Sequence, residues 1–107
     1  VLPNGHSLEI VQEETGNSNN ITRLSSKDLA LPLRVRTRKY GDIMAIKGGG
    51  HQKLKNIFIN MKISAQERDI WPVVVDSKDR IVFIPGLKKS KYDRKKDEFY
   101  DIILKYM

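Results

Sequence analysis

The sequence has no cysteine, which excludes disulfides and thiolate metal sites. Its two histidines, His6 and His51, are too few and too isolated for a self-contained zinc site. No apolar run approaches the ~20 residues of a membrane span, and no membrane partner is expected. A cleavable leader needs an apolar stretch near the start, where Asn4, Gly5 and His6 stand instead. No serine stands in a nucleophile motif, and no G-x-x-x-x-G-K-[ST] loop can be written. A stand-alone enzyme is therefore the least supported reading, and catalytic and metal residues are both expected to be none. The chain also has no internal repeat or low-complexity tract. It begins at Val1 and not at Met, so a piece of a longer protein is expected.

Acidic residues are scarce in one stretch, Leu33 to Phe58. Arg34, Arg36, Arg38, Lys39, Lys47, Lys53 and Lys55 face the single acid Asp42, a local charge of +6 out of the chain's formal +7. The rest is near neutral, with thirteen basic residues against twelve acidic. Folding does not require so local an imbalance, which points to an anionic partner. Nucleic acid is the first candidate; an acidic membrane surface is the second by charge alone and is not among the expected partners. At 107 residues the chain is expected to form one domain, 1–107, with its core in 31–87. Such a chain buries roughly 65% of its unfolded surface, enough for a core without staples.

Leu8, Ile10 and Val11 alternate with polar neighbours and predict a strand before the turn-forming TGNSNN of 15–20. Residues 21–30 are ambiguous, with a possible capped turn at SSKD. In 33–38, Leu33, Val35 and Thr37 alternate with Arg34, Arg36 and Arg38. A period of two places the three guanidinium groups on one face, with neighbours roughly 7 Å apart, close to the spacing of successive phosphates. One such arginine is as readily structural as functional; three in register followed by Lys39 favour a ligand. Tyr40-Gly41-Asp42 is a turn signal, and Ile43 to Ile46 a short buried strand.

Lys47 leads into Gly48-Gly49-Gly50, and a helix is predicted from His51 over about 51–61. Leu54, Ile57, Phe58 and Met61 form its apolar stripe. Ile59 lies towards the polar side, where another element is needed to cover it. Glycines opening onto a helix N-terminus would offer free N–H groups to a phosphate, although the run equally suits a flexible connector. Ser64 and Glu67 predict a capping box on a second short helix. Trp71 suits the core, with base stacking as the alternative. Val73–Val75 and Ile81–Ile84 read as a hairpin joined by 76–80. The basic run 88–96 reads as a solvated loop, and 99–107 as a terminal strand, although its spacing also suits a helix.

These residues resemble the C-terminal domain of tRNA(Ile)-lysidine synthases. The resemblance rests on LRVRTRKYGD (33–42), KGGGHQKLKNIFINMKI (47–63), ERDIWPVVVD (67–76) and IVFIPGL (81–87), about half the chain in unbroken order. Three positions depart from the family pattern. Tyr40 stands where a Pro is frequent, Gln52 where a Lys is frequent, and Ser64 where a Pro is common. The Gln52 departure puts one phosphate contact in doubt.

The resemblance implies an α+β fold, a small layered domain of short mixed or antiparallel strands with one main helix. A similar domain occurs in the phenylalanyl-tRNA synthetase β chain. It implies a cytoplasmic, bacterial parent enzyme that uses ATP with Mg and lysine to convert the wobble cytidine of a minor tRNA(Ile) to lysidine. The parent's ATP site, an S-G-G-x-D-S-type loop in an N-terminal catalytic domain, does not occur here. No cofactor is expected in this chain, and it should not catalyse the reaction alone. The implied partners are the tRNA(Ile) acceptor stem and the catalytic domain of the same chain. On this reading Arg34, Arg36, Arg38 and Lys39 contact phosphates, as do Lys47 and the N–H groups of Gly48, Gly49 and Gly50. His51, Gln52, Lys53 and Lys55 project towards the stem. The alternatives are an interdomain scaffold with a basic docking face and a basic DNA-binding regulator.

Overall fold

A computed structural model describes residues 2–107. Among these residues nine strands and two α-helices run in the order β1 (Leu8–Val11), β2 (Ile21–Leu24), β3 (Arg34–Arg36), β4 (Ile43–Ala45), β5 (His51–Lys53), α1 (Leu54–Asn60), α2 (Ala65–Ile70), β6 (Val73–Val75), β7 (Ile81–Ile84), β8 (Lys88–Lys89) and β9 (Ile102–Tyr106), with a 3-10 turn at Ser26–Asp28 between β2 and β3. They build an antiparallel three-stranded sheet β1-β9-β2, a four-stranded sheet β3-β6-β7-β8 and the two-stranded hairpin β4-β5. The α+β expectation holds, and the ends of the chain belong to it: β9 pairs with β1 on one side and β2 on the other.

The valine run of β6 explains the layering. Val73, Val74 and Val75 are all buried, which a sheet covered on both faces demands. Val73 and Val75 join Met44, Leu54, Ile57 and Phe58 in one core cluster. Val74 joins Leu24 and Leu104 in the other. The β6–β7 register shifts between Val74 and Val75. On β7, Ile81 and Ile84 serve the first cluster, and Val82 and Phe83 the second. Strict alternation fails there because a bulge re-aims the side chains.

The single helix expected over 51–61 is corrected. His51 to Lys53 form strand β5, with Gln52 opposite Met44, and the helix begins only at Leu54. Pairing with β4 satisfies the backbone there, so the helical stripe starts late. Met61 lies beyond the helix and is 44% exposed, and Ile59 also remains exposed. Helix α1 ends in a Schellman-type cap: Lys62 takes φ 56 and the Ile63 N–H donates to the Phe58 carbonyl at 3.0 Å.

Other expectations hold with modification. The Ser64 Oγ accepts from the Glu67 N–H at 3.2 Å and donates to Glu67 Oε1 at 3.0 Å, fixing the start of α2. Trp71 packs against the first core and donates its indole N–H to the Pro85 carbonyl at 2.9 Å. The solvated loop expected over 88–96 is corrected. Lys88 and Lys89 form β8, and Ser90 and Asp93 are buried. Asp93 holds the segment against β2, accepting from Thr22 Oγ1 at 2.9 Å and from the Arg23 N–H at 3.3 Å.

Candidate nucleic-acid interface

The basic stretch sits on β3, the turn after it and the β4–β5 hairpin. Strand β3 is an edge strand, paired only with β6. Its expected faces are partly reversed. Val35 is 42% exposed, whereas the Arg36 side chain is only 9% exposed. Two carboxylates draw Arg36 in. Its Nη1 and Nη2 donate to Asp42 Oδ2 and Oδ1 at 3.0 and 2.9 Å, and its Nε donates to Asp79 Oδ1 at 2.9 Å. The Asp42 hydrogen bond raises the Arg36 pKa above its ordinary value, against the opposing effect of burial. The Arg36 hydrogen bond likewise holds Asp79 below the usual carboxylate range.

Asp79 gathers the neighbouring cations as well. Arg34 Nη2 lies 2.9 Å from its Oδ1, and Lys39 Nζ 3.5 Å from its Oδ2. Arg38 instead reaches Asp69 on α2 at 2.7 Å. Lys47 Nζ lies 2.6 Å from Asp93 Oδ2. The imbalance seen along the sequence is thus partly neutralised in space by Asp69, Asp79 and Asp93, supplied from later segments. Among the described residues, Lys53 and Lys55 make no ion pair within the chain. The pairs of Arg34, Arg38 and Lys39 are solvent-exposed, contribute little to stability and can be exchanged for a phosphate. Arg36 is different. Its near-buried bidentate grip makes it a positioning residue for the turn that follows.

Gly48, Gly49 and Gly50 form the tip of the β4–β5 hairpin, with φ of 85°, 95° and 81°. Three successive left-handed residues are easily adopted only by glycine. The tip lies open, with nothing within 4 Å of an added Cβ. The expected helix N-terminus behind it is corrected: β5 intervenes, so no helix dipole faces the glycines.

Two clefts flank the hairpin. Lys47 and the three glycines share one, of about 600 Å³, with His51, Lys91, Arg94 and Lys95. Gln52 turns to the opposite side and lines another with Lys47, Lys88 and Lys89. Burial pushes the Lys89 pKa down, and nearby Asp93 partly restores it. Lys53 and Lys55 line a third cleft with Arg38, Lys39 and Tyr40. Thus ten of the expected residues line these clefts, in separate groups and not one row, whereas Arg34 and Arg36 line none of them and pair with Asp79 and, for Arg36, Asp42.

Sequence reasoning missed the acids Asp69, Asp79 and Asp93 and the lysines Lys88 and Lys89. Arg36 and Asp79 are 43 residues apart, and Lys47 and Asp93 46, so local spacing carries no signal of either pair. No group of histidine or acidic residues able to hold a metal occurs among the described residues. Among the described residues no helix is long and apolar enough to cross a membrane.

Residues 33–100 match the family described as the TilS substrate C-terminal domain. The chain is 48% identical over 99 residues to a tRNA(Ile)-lysidine synthase of Bacillus subtilis, covering 87% of this chain and 21% of that protein. It is 53% identical over 72 residues to a bifunctional protein TilS/HprT of Listeria innocua, covering 66% of this chain and 11% of that protein. Among solved structures it is similar to one described as the TILS C-terminal domain, with TM-score 0.85 and 42% identity over 98% of this chain and 85% of that one. The chain spans about a fifth of the length of the Bacillus subtilis relative. The basic stretch, the β4–β5 hairpin and the whole first core cluster fall inside residues 33–100, and the chain belongs to the C-terminal domain family of tRNA(Ile)-lysidine synthases.

Proposed function

We propose that this chain is the tRNA-holding part of a tRNA(Ile)-lysidine synthase and that it engages the acceptor stem of tRNA(Ile). The observation that carries the reading is the group Arg38, Lys39, Lys53 and Lys55 around one open cleft, with Lys53 and Lys55 in no ion pair among the described residues. Arg34, Lys47 and the hairpin tip extend the basic surface on either side. A-form RNA hides its major-groove base edges, so contacts to phosphate and ribose dominate. Exposed Lys and Arg side chains suit that role, because each phosphate they neutralise releases a counterion.

In this reading the parent enzyme is cytoplasmic, and its N-terminal catalytic domain binds ATP with Mg and lysine. The triglycine hairpin does not fit a nucleotide-phosphate cradle, since no helix N-terminus stands behind it. No step of the ligation is therefore assigned to this chain. Its part is to hold one end of the substrate while the wobble cytidine is modified elsewhere.

The test is a salt titration of binding to an acceptor-stem minihelix of tRNA(Ile). The anticodon stem-loop and a DNA duplex of equal length run beside it. Preference for the minihelix with a steep salt dependence is expected. Equal weak binding to all three would reduce the surface to a general electrostatic contribution. Tighter binding to the DNA duplex would favour a regulator. No binding would leave the basic face as a docking surface for an acidic part of the parent enzyme.

A further inference from the structure

Tyr40 is the most exposed large hydrophobic side chain among the described residues, at 107% of its reference accessibility. Its position is nevertheless tightly fixed. The Asp42 N–H donates to the Lys39 carbonyl at 3.2 Å, closing a turn with Tyr40 and Gly41 at its centre. Gly41 takes φ +82°, the left-handed value that a type II turn requires at that position. Asp42 Oδ2 accepts from the Lys39 N–H at 2.7 Å, and Arg36 clamps the same carboxylate from below. The Asp42 carbonyl then accepts from the Leu54 N–H at 3.0 Å, tying the turn to α1. A large aromatic ring therefore stands uncovered on a turn braced at several points. Folding gains nothing from leaving it there.

The surroundings identify a ligand. Tyr40 lines a cleft of about 650 Å³ with Arg38, Lys39, Lys53 and Lys55. Asp42 and Asp69 also line it, but Arg36 and Arg38 respectively engage them. An exposed ring among cations suits a nucleotide: the ring stacks on the base and the cations meet its phosphates. Bases inside an RNA duplex present no free face to such a ring, whereas an unpaired base can splay out and stack on it.

We propose that Tyr40 is a stacking platform for an unpaired base at the end of the RNA helix held by the surrounding cations. The inference rests on the RNA-binding reading above and adds the kind of nucleotide taken by that site. The cations set affinity for the stem, and the ring adds affinity only where a single-stranded nucleotide continues it.

The experiment compares two RNA hairpins with the same stem, one blunt and one with a short 3′ single-stranded extension carrying 2-aminopurine. The extension is expected to tighten binding to the unaltered chain, with 2-aminopurine fluorescence quenched on binding. Tyr40→Ala should weaken binding of the extended RNA about tenfold, within the range of single base–aromatic stacks. It should abolish the quenching and leave the blunt RNA and the salt slope unchanged. Tyr40→Phe should retain the effect. Lys53→Ala should weaken both RNAs and reduce the salt slope. A Tyr40→Ala effect equal on both RNAs, or absent from both, overturns the stacking role while RNA binding stands. Failure of the unaltered chain to bind either RNA overturns the RNA-binding reading and the stacking role together.

Discussion

Arg36 and Asp42 form a two-pronged pair, with Nη1–Oδ2 at 3.0 Å and Nη2–Oδ1 at 2.9 Å, and their side chains are only 9% and 10% exposed. A fork of this kind fixes orientation as well as proximity. Its removal leaves Asp42 and Asp79 without their principal partner. Arg36→Ala should destabilise the fold by about 2–3 kcal/mol, as expected when one member of a largely desolvated pair is deleted. Arg36→Lys should recover only part of the loss, since an ammonium cannot make the fork. Urea unfolding measures both. Lys53→Ala and Lys55→Ala should leave the midpoint unchanged, because neither lysine has a carboxylate partner within the described chain.

Acid should weaken the fold through its lowered carboxylates. Asp79 is lowered chiefly by the Arg36 hydrogen bond, and Asp101 by the Ser26 hydroxyl. For Asp76, burial pushes the pKa up, but hydrogen bonds from the Arg80 side chain and backbone and the Ala30 backbone leave it lowered. The unfolded chain titrates these groups near 3.8, above their folded values. Their stabilisation is complete above the unfolded value and is lost as pH falls through the folded ones. Urea midpoints should hold steady down to about pH 5 and then decline. The gap between the unaltered chain and Arg36→Ala should narrow in the same window. A constant gap would show that Asp79 does not carry the linkage.

Two backbone positions should respond in opposite directions. Lys62 holds φ 56, a left-handed conformation that costs an L residue roughly 1–2 kcal/mol. Lys62→Gly relieves that cost at the end of α1 and should raise stability by up to about 1 kcal/mol, offset by greater freedom in the unfolded chain. Gly86 has φ +79°, and a Cβ there would sit 3.1 Å from a ring carbon of Tyr106. Gly86→Ala should therefore cost more than Gly49→Ala, where φ is +95° but the space is open. Thermal melts of the three variants decide the order.

Asp93 should be structural as well as electrostatic. It accepts from Thr22 Oγ1, the Arg23 N–H and Lys47 Nζ, and Lys89 Nζ lies 3.9 Å away. Asp93→Ala should destabilise by about 1–3 kcal/mol, because buried donors lose their acceptor. The same change frees Lys47 and should tighten RNA binding at low salt if the hairpin belongs to the interface. Unchanged affinity together with reduced stability would confine Lys47 to a structural role.

The hairpin β6–β7 was legible because apolar residues are bounded by the polar loop 76–80. The Ser64 cap was legible because its partner lies three residues away. The start of α1 was not: three residues after the triglycine suit a first helical turn, yet pairing with Ile43 to Ala45 captures them as a strand. Tertiary pairing overrides weak local preference in so short a segment. The run 88–96 misled for a similar reason, since nothing local shows that Asp93 reaches Thr22, 71 residues away.

By itself the sequence determined the charge concentrated between Leu33 and Phe58, the apolar runs able to form a core, and the motifs that mark the family. Those are properties of residue type and near neighbours. The tertiary structure alone decided which cations are committed and which remain open. Arg36 is bound into Asp42 and Asp79, Lys47 leans on Asp93, and Lys53 and Lys55 stand free beside an exposed Tyr40. Charge along a chain has no partners until folding brings distant carboxylates within a few ångströms. Only there does Coulomb attraction, strengthened by partial burial, distinguish a brace from a binding group.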